Sequence, residues 1–192
     1  MKILGISAFY HDSAAALVCD GEIISAAQEE RFTRKKHDES FPKNAIKFCL
    51  DSNNLSLEDI DIIVFYDKPF LKLERILETF YNNAPKGWKQ FVYSMPLWLK
   101  EKMFLKATIK KALKEIGTFD KNKTKLLFST HHLSHAASAY FCSPFQDSAI
   151  LCIDGVGEWA TASISKGIGN NIEMIEEMHF PNSVGLLYSS FT

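Results

Sequence analysis

Three histidines fall within five residues in Thr130-His131-His132-Leu133-Ser134-His135-Ala136-Ala137, and a carboxylate follows in Ile153-Asp154-Gly155-Val156-Gly157. His131 and His135 are four residues apart, so a helix would project both from one face. Neutral imidazoles one turn apart, joined by a carboxylate, are a common donor set for a divalent metal. They supply three of the four to six ligands that a transition metal usually takes. His132 lies roughly a third of a turn round and should point elsewhere. A single helical histidine is more often a cap or a core residue; three with a carboxylate on a following strand favour a site.

The elements that must position these residues can be read around them. Residues 125–129 read as a short buried strand and 136–141 as the first turns of a helix. Residues 149–154 read as a buried strand, and Gly155-Val156-Gly157 as a tight turn where backbone approaches a ligand or a neighbour closely. Strands are expected again at 160–165 and 172–179. Upstream, 2–9, 14–19 and 22–28 read as three antiparallel strands, with Asp20-Gly21 as a hairpin turn. A polar elbow, Tyr10-His11-Asp12-Ser13, separates the first two. Pro42 should start a helix that carries Ala45, Ile46, Phe48, Cys49 and Leu50 inward. Residues 61–66 form an apolar run suited to a central strand. From 70 to 116 the pattern is helical, with Pro85 and Pro96 expected to break it.

Composition sets bounds. The chain has 192 residues, 46% hydrophobic and 23% charged, which suits one globular domain or two small subdomains. A net charge of -1 gives no global drive toward nucleic acid or membrane. The lysine-rich stretch from Lys86 to Lys125, which includes Lys121, is interleaved with Trp88, Phe91, Tyr93 and Trp98. It reads as the solvated face of amphipathic helices rather than a nucleic-acid surface. Cys19, Cys49, Cys142 and Cys152 are scattered, with no CxxC pair, and read as reduced thiols. The N-terminus does not read as a signal peptide, and no apolar run suits a membrane helix, so a cytoplasmic location is expected. Residues 183–192 are apolar and helix-like, which suggests the front part of a longer protein.

Gly5-Ile6-Ser7, His11-Asp12-Ser13-Ala14-Ala15, the segment from Glu29 through Arg34-Lys35-Lys36-His37, the histidine stretch and Asp154-Gly155-Val156-Gly157-Glu158 together resemble the O-carbamoyltransferases. That family modifies nodulation factors, cephalosporin-type antibiotics and aminoglycosides. The resemblance implies an α/β fold of the actin, sugar-kinase and heat-shock ATPase type (ribonuclease H-like). Residues 1–145 would be the first lobe and 146–192 the beginning of the second, with a C-terminal YrdC-like domain absent. In the family, that domain makes carbamoyl adenylate from ATP and carbamoyl phosphate, and the actin-like domain transfers the carbamoyl group to a hydroxyl of a small-molecule or glycan acceptor.

Residue by residue, the resemblance makes His131, His135 and Asp154 metal ligands, with iron(II) the expected metal and zinc or manganese also suited. A further aspartate ligand is expected downstream of Thr192. His11 and Asp12 fall in the elbow that looks toward the transferred group, as catalytic residues. Ser13, Arg34, Lys36, Gly155 and Gly157 become substrate-binding residues. On the residues alone, His11 beside Asp12 could equally brace a hairpin, and Glu29 and Glu30 could pair with the neighbouring bases. The alternatives are a threonylcarbamoyl-transfer protein acting on tRNA, or a non-catalytic fragment of the same fold. No membrane partner is expected, nucleic acid is disfavoured, and the 192 residues alone are expected to be inactive.

Overall fold

The computed structural model describes residues 1–118, 120 and 123–192; Lys121 of the lysine-rich stretch lies outside the described residues. The chain divides into two compact units, Met1–Tyr66 with Phe104–Phe128, and Asp67–Met103 with Ser129–Thr192.

The first unit opens with β1 (Lys2–Ser7), β2 (Ala14–Cys19) and β3 (Glu22–Gln28). Asp20 and Gly21 make the β2–β3 turn with φ of +52° and +93°, the left-handed backbone that Asp tolerates and Gly adopts freely. Then come a single turn, α1 (Glu30–Thr33), the helix α2 (Lys43–Asp51) and β4 (Ile62–Phe65). The chain leaves for α3 (Pro69–Asn83), returns along α4 (Trp88–Lys114), and adds β5 (Lys125–Phe128). The sheet order is β3-β2-β1-β4-β5; β1 runs antiparallel to β2 and parallel to β4, which is parallel to β5. This mixed sheet has the ribonuclease H-like, actin-type topology.

Its core is built from alternation. Leu4 and Ile6 of β1, Ala15 and Leu17 of β2, and Ile63 and Phe65 of β4 are buried, with Ala45, Ile46, Cys49 and Leu50 of α2 and Ile109 and Leu113 of α4. Each fully buried Leu or Ile contributes about 1.5–3 kcal/mol relative to an exposed one. α2 begins at Pro42, which offers no side-chain cap. Glu29 supplies one. Its carboxylate, only 2% exposed, accepts the backbone N–H of Asn44 at 3.2 Å and of Ala45 at 2.8 Å, and the Asn44 amide at 2.7 Å. It therefore satisfies helix-end donors rather than pairing with the bases of its own segment.

Three local expectations fail for physical reasons. Phe48, expected inward, is 43% exposed, because Ala45, Ile46, Cys49 and Leu50 fill the buried arc of α2 and leave Phe48 outside it, with its ring 5.8 Å from that of Phe32. β5 is half exposed, with Leu127 at 47%, because it stands at the sheet edge and pairs with β4 alone among the described residues. Pro96 lies inside α4 without ending it. A proline removes the N–H that would reach the carbonyl four residues back. That carbonyl belongs to Val92, a residue on the exposed side of the helix (49% exposed).

The second unit adds α5 (His131–Tyr140), then β6 (Asp147–Ile153), β7 (Ala160–Ile168), β8 (Asn171–His179) and α6 (Val184–Ser189). β6, β7 and β8 form an antiparallel sheet in that order. Ala136 and Tyr140 of α5 pack against Ile150 and Cys152 of β6. The Tyr140 hydroxyl lies 2.6 and 2.9 Å from the carbonyl oxygens of Gln146 and Gly169 and shares its one hydrogen between them, so α5 is pinned to the loops at the end of this sheet. Among the described residues, no helix is long and apolar enough to cross a membrane.

Candidate functional site

α5 starts at His131, one turn earlier than expected, so the histidines occupy its first turns. Thr130 at the N-cap gives no side-chain bond to the helix. Glu158 gives one instead, accepting the N–H groups of His131 and Lys68. Burial pushes the Glu158 carboxyl up to about 7, and the nearby Asp67 carboxyl adds to the shift. The two backbone donors act against it. Asp67 in turn pairs with Lys72.

This arrangement aims His131 and His135 at one place. Their Nε2 atoms are 3.1 Å apart, and His131 Nε2 is 3.0 Å from Asp154 Oδ2. One donor atom from each of the three residues lies within 4.8 Å of the other two. His132 turns away as expected. It is 2% exposed, its Nδ1 meets Ser163 Oγ at 2.7 Å, and its Nε2 is buried without a partner among the described residues.

Asp154 follows directly on β6. Its N–H donates to Thr161 O at 2.8 Å, and its Oδ1 accepts the Gly155 N–H at 2.6 Å. The His131 hydrogen bond and that N–H hold its carboxyl down at about 2, against burial. Desolvation and the neighbouring His131 ring lower the His135 imidazole against the pull of Asp154, which favours its neutral form. Imidazole nitrogens with an ionised carboxylate are donors that iron(II), zinc or manganese accepts, and the convergence of these three residues fits such an ion.

The glycines divide the work. A Cβ on Gly157 would sit 3.0 Å from His131 Cδ2, 3.1 Å from Ala160 O and 3.2 Å from His132 Cδ2, so its bareness lets the histidine turn approach. A Cβ on Gly155 would make an ordinary 3.6 Å contact with Leu186. Sequence reasoning missed the supports. A Cβ on Gly185 would fall 2.2 Å from Asp154 O. Ser183 caps α6, accepting the Leu186 N–H at 3.0 Å, and donates to Gly155 O at 2.6 Å. Arg75 donates to Gly157 O at 3.1 Å and stacks over Phe180 with 5.7 Å to the ring centroid. The available signal was Ser183-Val184-Gly185, a cap residue and a glycine opening an apolar helix.

The other sequence candidates gather in the first unit. His11 Nδ1 lies 2.8 Å from Asp12 Oδ2, and His37 Nδ1 lies 3.0 Å from Asp12 Oδ1. These two bonds lower the Asp12 carboxyl. Ser13 is 1% exposed; its N–H donates to Asp38 O at 2.9 Å, and its hydroxyl has no partner among the described residues. Arg34 and Lys36 are exposed. The candidates thus form two groups, His131, His135 and Asp154 with Gly155 and Gly157 in one unit, and His11, Asp12 and Ser13 with Arg34 and Lys36 in the other.

Residues 2–192 match the family described as carbamoyltransferase N-terminus. The chain belongs to that family. Uncharacterized protein sll1178 of Synechocystis sp. is 58% identical to it over 191 residues, covering 99% of this chain and 31% of the relative. Nodulation protein NolNO of Sinorhizobium fredii is 36% identical over 180 residues, covering 94% of this chain and 25% of the relative. The chain therefore spans less than a third of the length of these relatives. Among solved structures, YeaZ from Pseudomonas aeruginosa is similar at 12% identity and a TM-score of 0.43, over 92% of this chain and 67% of that one. Membership of the carbamoyltransferase N-terminus family agrees with the motif order through which the sequence resembles the O-carbamoyltransferases.

Proposed function

We propose that this chain carries the transfer machinery of an O-carbamoyltransferase, moving a carbamoyl group from carbamoyl adenylate to a hydroxyl of a small-molecule or glycan acceptor. The observation that carries the reading is the convergence of His131, His135 and Asp154 in a chain of this family. Carbamoyl adenylate would come from ATP and carbamoyl phosphate in a YrdC-like domain, and residues 1–145 and 146–192 would be the first lobe and the start of the second. The cytoplasm is the compartment where this chemistry finds its co-substrates.

In the transfer, the acceptor oxygen forms a bond to the carbamoyl carbon, and the carbon–oxygen bond to the adenylate phosphate breaks. AMP leaves with that electron pair, and the acceptor's proton goes to a base. His11 would be that base: its Nδ1 lies 2.8 Å from Asp12 Oδ2, which leaves Nε2 as the nitrogen to take the proton. Arg34 and Lys36 offer exposed positive charge to the anionic donor. The Gly155 and Gly157 turn offers backbone to the substrate beside the three ligands. His131, His135 and Asp154 would hold iron(II) or a similar divalent ion, which when bound supplies positive charge to polarise the carbonyl or bind phosphate. Asp154, held ionised by His131 and Gly155, keeps its position without needing a proton shift.

The test uses the protein in full-length form, with ATP, carbamoyl phosphate and a panel of hydroxylated acceptors, read as carbamoylated product. His131→Ala should abolish metal binding and transfer together. Normal turnover by that variant would overturn the reading.

A further inference from the structure

One residue that touches the elbow takes no part in the transfer as proposed. His37 ends the Lys35-Lys36-His37 run, 26 residues after His11 in sequence, yet both rings reach the same carboxylate. We propose that His37 is a positioning residue for His11, acting through Asp12 to keep the His11 ring in the tautomer whose Nε2 is bare. The proposal rests on the assignment of His11 as the base.

The argument begins with donors and acceptors. An ionised carboxylate only accepts hydrogen bonds, so each Nδ1 facing Asp12 carries a hydrogen. In a neutral ring that leaves Nε2 with its lone pair free to take a proton. The two rings use different oxygens, Oδ2 for His11 and Oδ1 for His37, so the carboxylate is fixed from both sides. With one ring missing, Asp12 could rotate about its side-chain bonds, and the hold on His11 would loosen.

The backbone shows that the cluster is built. Asp12 and His37 have φ of +53° and +55°, a left-handed conformation uncommon outside glycine that persists where surroundings enforce it. The enforcement is visible. Phe9 N–H donates to Glu39 O, and Ser13 N–H to Asp38 O, each at 2.9 Å, stitching both sides of the elbow to the segment after His37. His37 N–H donates to Glu30 Oε2 at 3.3 Å. The other groups that bear on the pair are the Tyr10 ring, 4.4 Å from the His11 ring, and Lys35, 3.9 Å from Asp38. Exposed Lys36 lies next in sequence to His37. The lowered Asp12 carboxyl agrees with two donors sharing it.

Two substitutions separate side chain from backbone. His37→Gly removes the ring while easing the positive φ. His37→Asn keeps an N–H donor near the Nδ1 position and tolerates left-handed backbone. Imidazole 15N NMR of the chain reads the His11 tautomer directly, and the transfer assay gives kcat and KM. In the wild type, neutral His11 should carry its hydrogen on Nδ1. His37→Gly should move His11 toward the Nε2–H form, displace the pH–rate profile and lower kcat about tenfold with KM nearly unchanged. His37→Asn should restore the tautomer and most of kcat.

A wild-type His11 in the Nε2–H form, or a His37→Gly variant with unchanged tautomer and kcat, would overturn the proposal. If the glycine variant fails to fold, the wild-type tautomer and the asparagine variant decide. A tautomer that follows His37 in a protein without transferase activity supports the coupling and overturns instead the assignment of His11 as a transfer base.

Discussion

The two histidine clusters each use one aspartate, in opposite ways. In the elbow, Asp12 stands between His11 and His37 and takes a hydrogen bond from the Nδ1 of each. The rings are 58% and 62% exposed. At the start of α5, Nε2 of His131 faces Nε2 of His135 and the Asp154 carboxylate together, and His131 is only 12% exposed. Two ring nitrogens 3.1 Å apart can share a proton or a cation between them. The difference teaches that residue type alone does not assign chemistry. A carboxylate that gives each ring its own oxygen sets which nitrogen holds a proton, whereas donors converging on one point suit a metal.

The sharpest way to break this comparison is to measure metal affinity in both clusters. His131→Ala or Asp154→Ala should weaken manganese or zinc binding by at least about 100-fold, as loss of a direct ligand exceeds the 10–100-fold typical of a supporting residue. Asp12→Ala should leave it unchanged. Calorimetric titration checks both, and equal losses would erase the distinction between the clusters.

Next in size is a test of support. Gly185→Ala places a Cβ against the Asp154 carbonyl, where backbone must move, and should cost about 2–4 kcal/mol in urea unfolding. The same change at Gly155, where the contact is ordinary, should cost less than about 1 kcal/mol. A smaller effect separates two caps. Glu29 seals α2 in the first unit, and Glu158 meets the first turn of α5 in the second. Glu29→Ala and Glu158→Ala should each cost about 1–2 kcal/mol. Only the change at Glu158 should also weaken metal binding, because only that helix carries the ligands.

The smallest effect is a pH dependence in the elbow. Asp38 accepts Ser40 N–H at 2.9 Å and the Thr33 hydroxyl at 2.7 Å, which hold its carboxyl at about 2, below its ordinary value. A depressed carboxyl gives stability that is full above its ordinary pKa and lost as pH falls through the folded value. Wild type should therefore exceed Asp38→Asn in stability at pH 6, with the gap closing as pH approaches 2. Acid titrations of both proteins, followed by circular dichroism, check the trend.

Much of the fold was legible in the sequence because its signals were local. Asp20-Gly21 marked the hairpin, alternation marked β1 and β2, and the four-residue spacing of His131 and His135 put them on one face. Asp154 was legible because glycines flank the end of an apolar strand. What stayed hidden depends on chain segments meeting. Nothing in Glu29 or Glu158 reveals that each will find helix-end N–H groups, since Glu158 reaches His131 across the fold of the second unit. The tie from His37 to His11 was hidden for the same reason, because left-handed turns at both ends of the elbow create it. Pro96 was misread because its cost depends on whether water reaches the orphaned carbonyl, which spacing does not encode.

β4 and β5 are neighbours in the first sheet, yet about 60 residues of chain, including all of α3 and α4, separate them. At translation rates of about 5–20 residues per second, β5 follows β4 by on the order of 3–12 seconds. Through that interval the newborn sheet ends in Ile62-Ile63-Val64-Phe65, a bare apolar edge of the kind that recruits chaperones or pairs with a neighbour. The length of the two helices therefore sets how long that edge stays bare during synthesis.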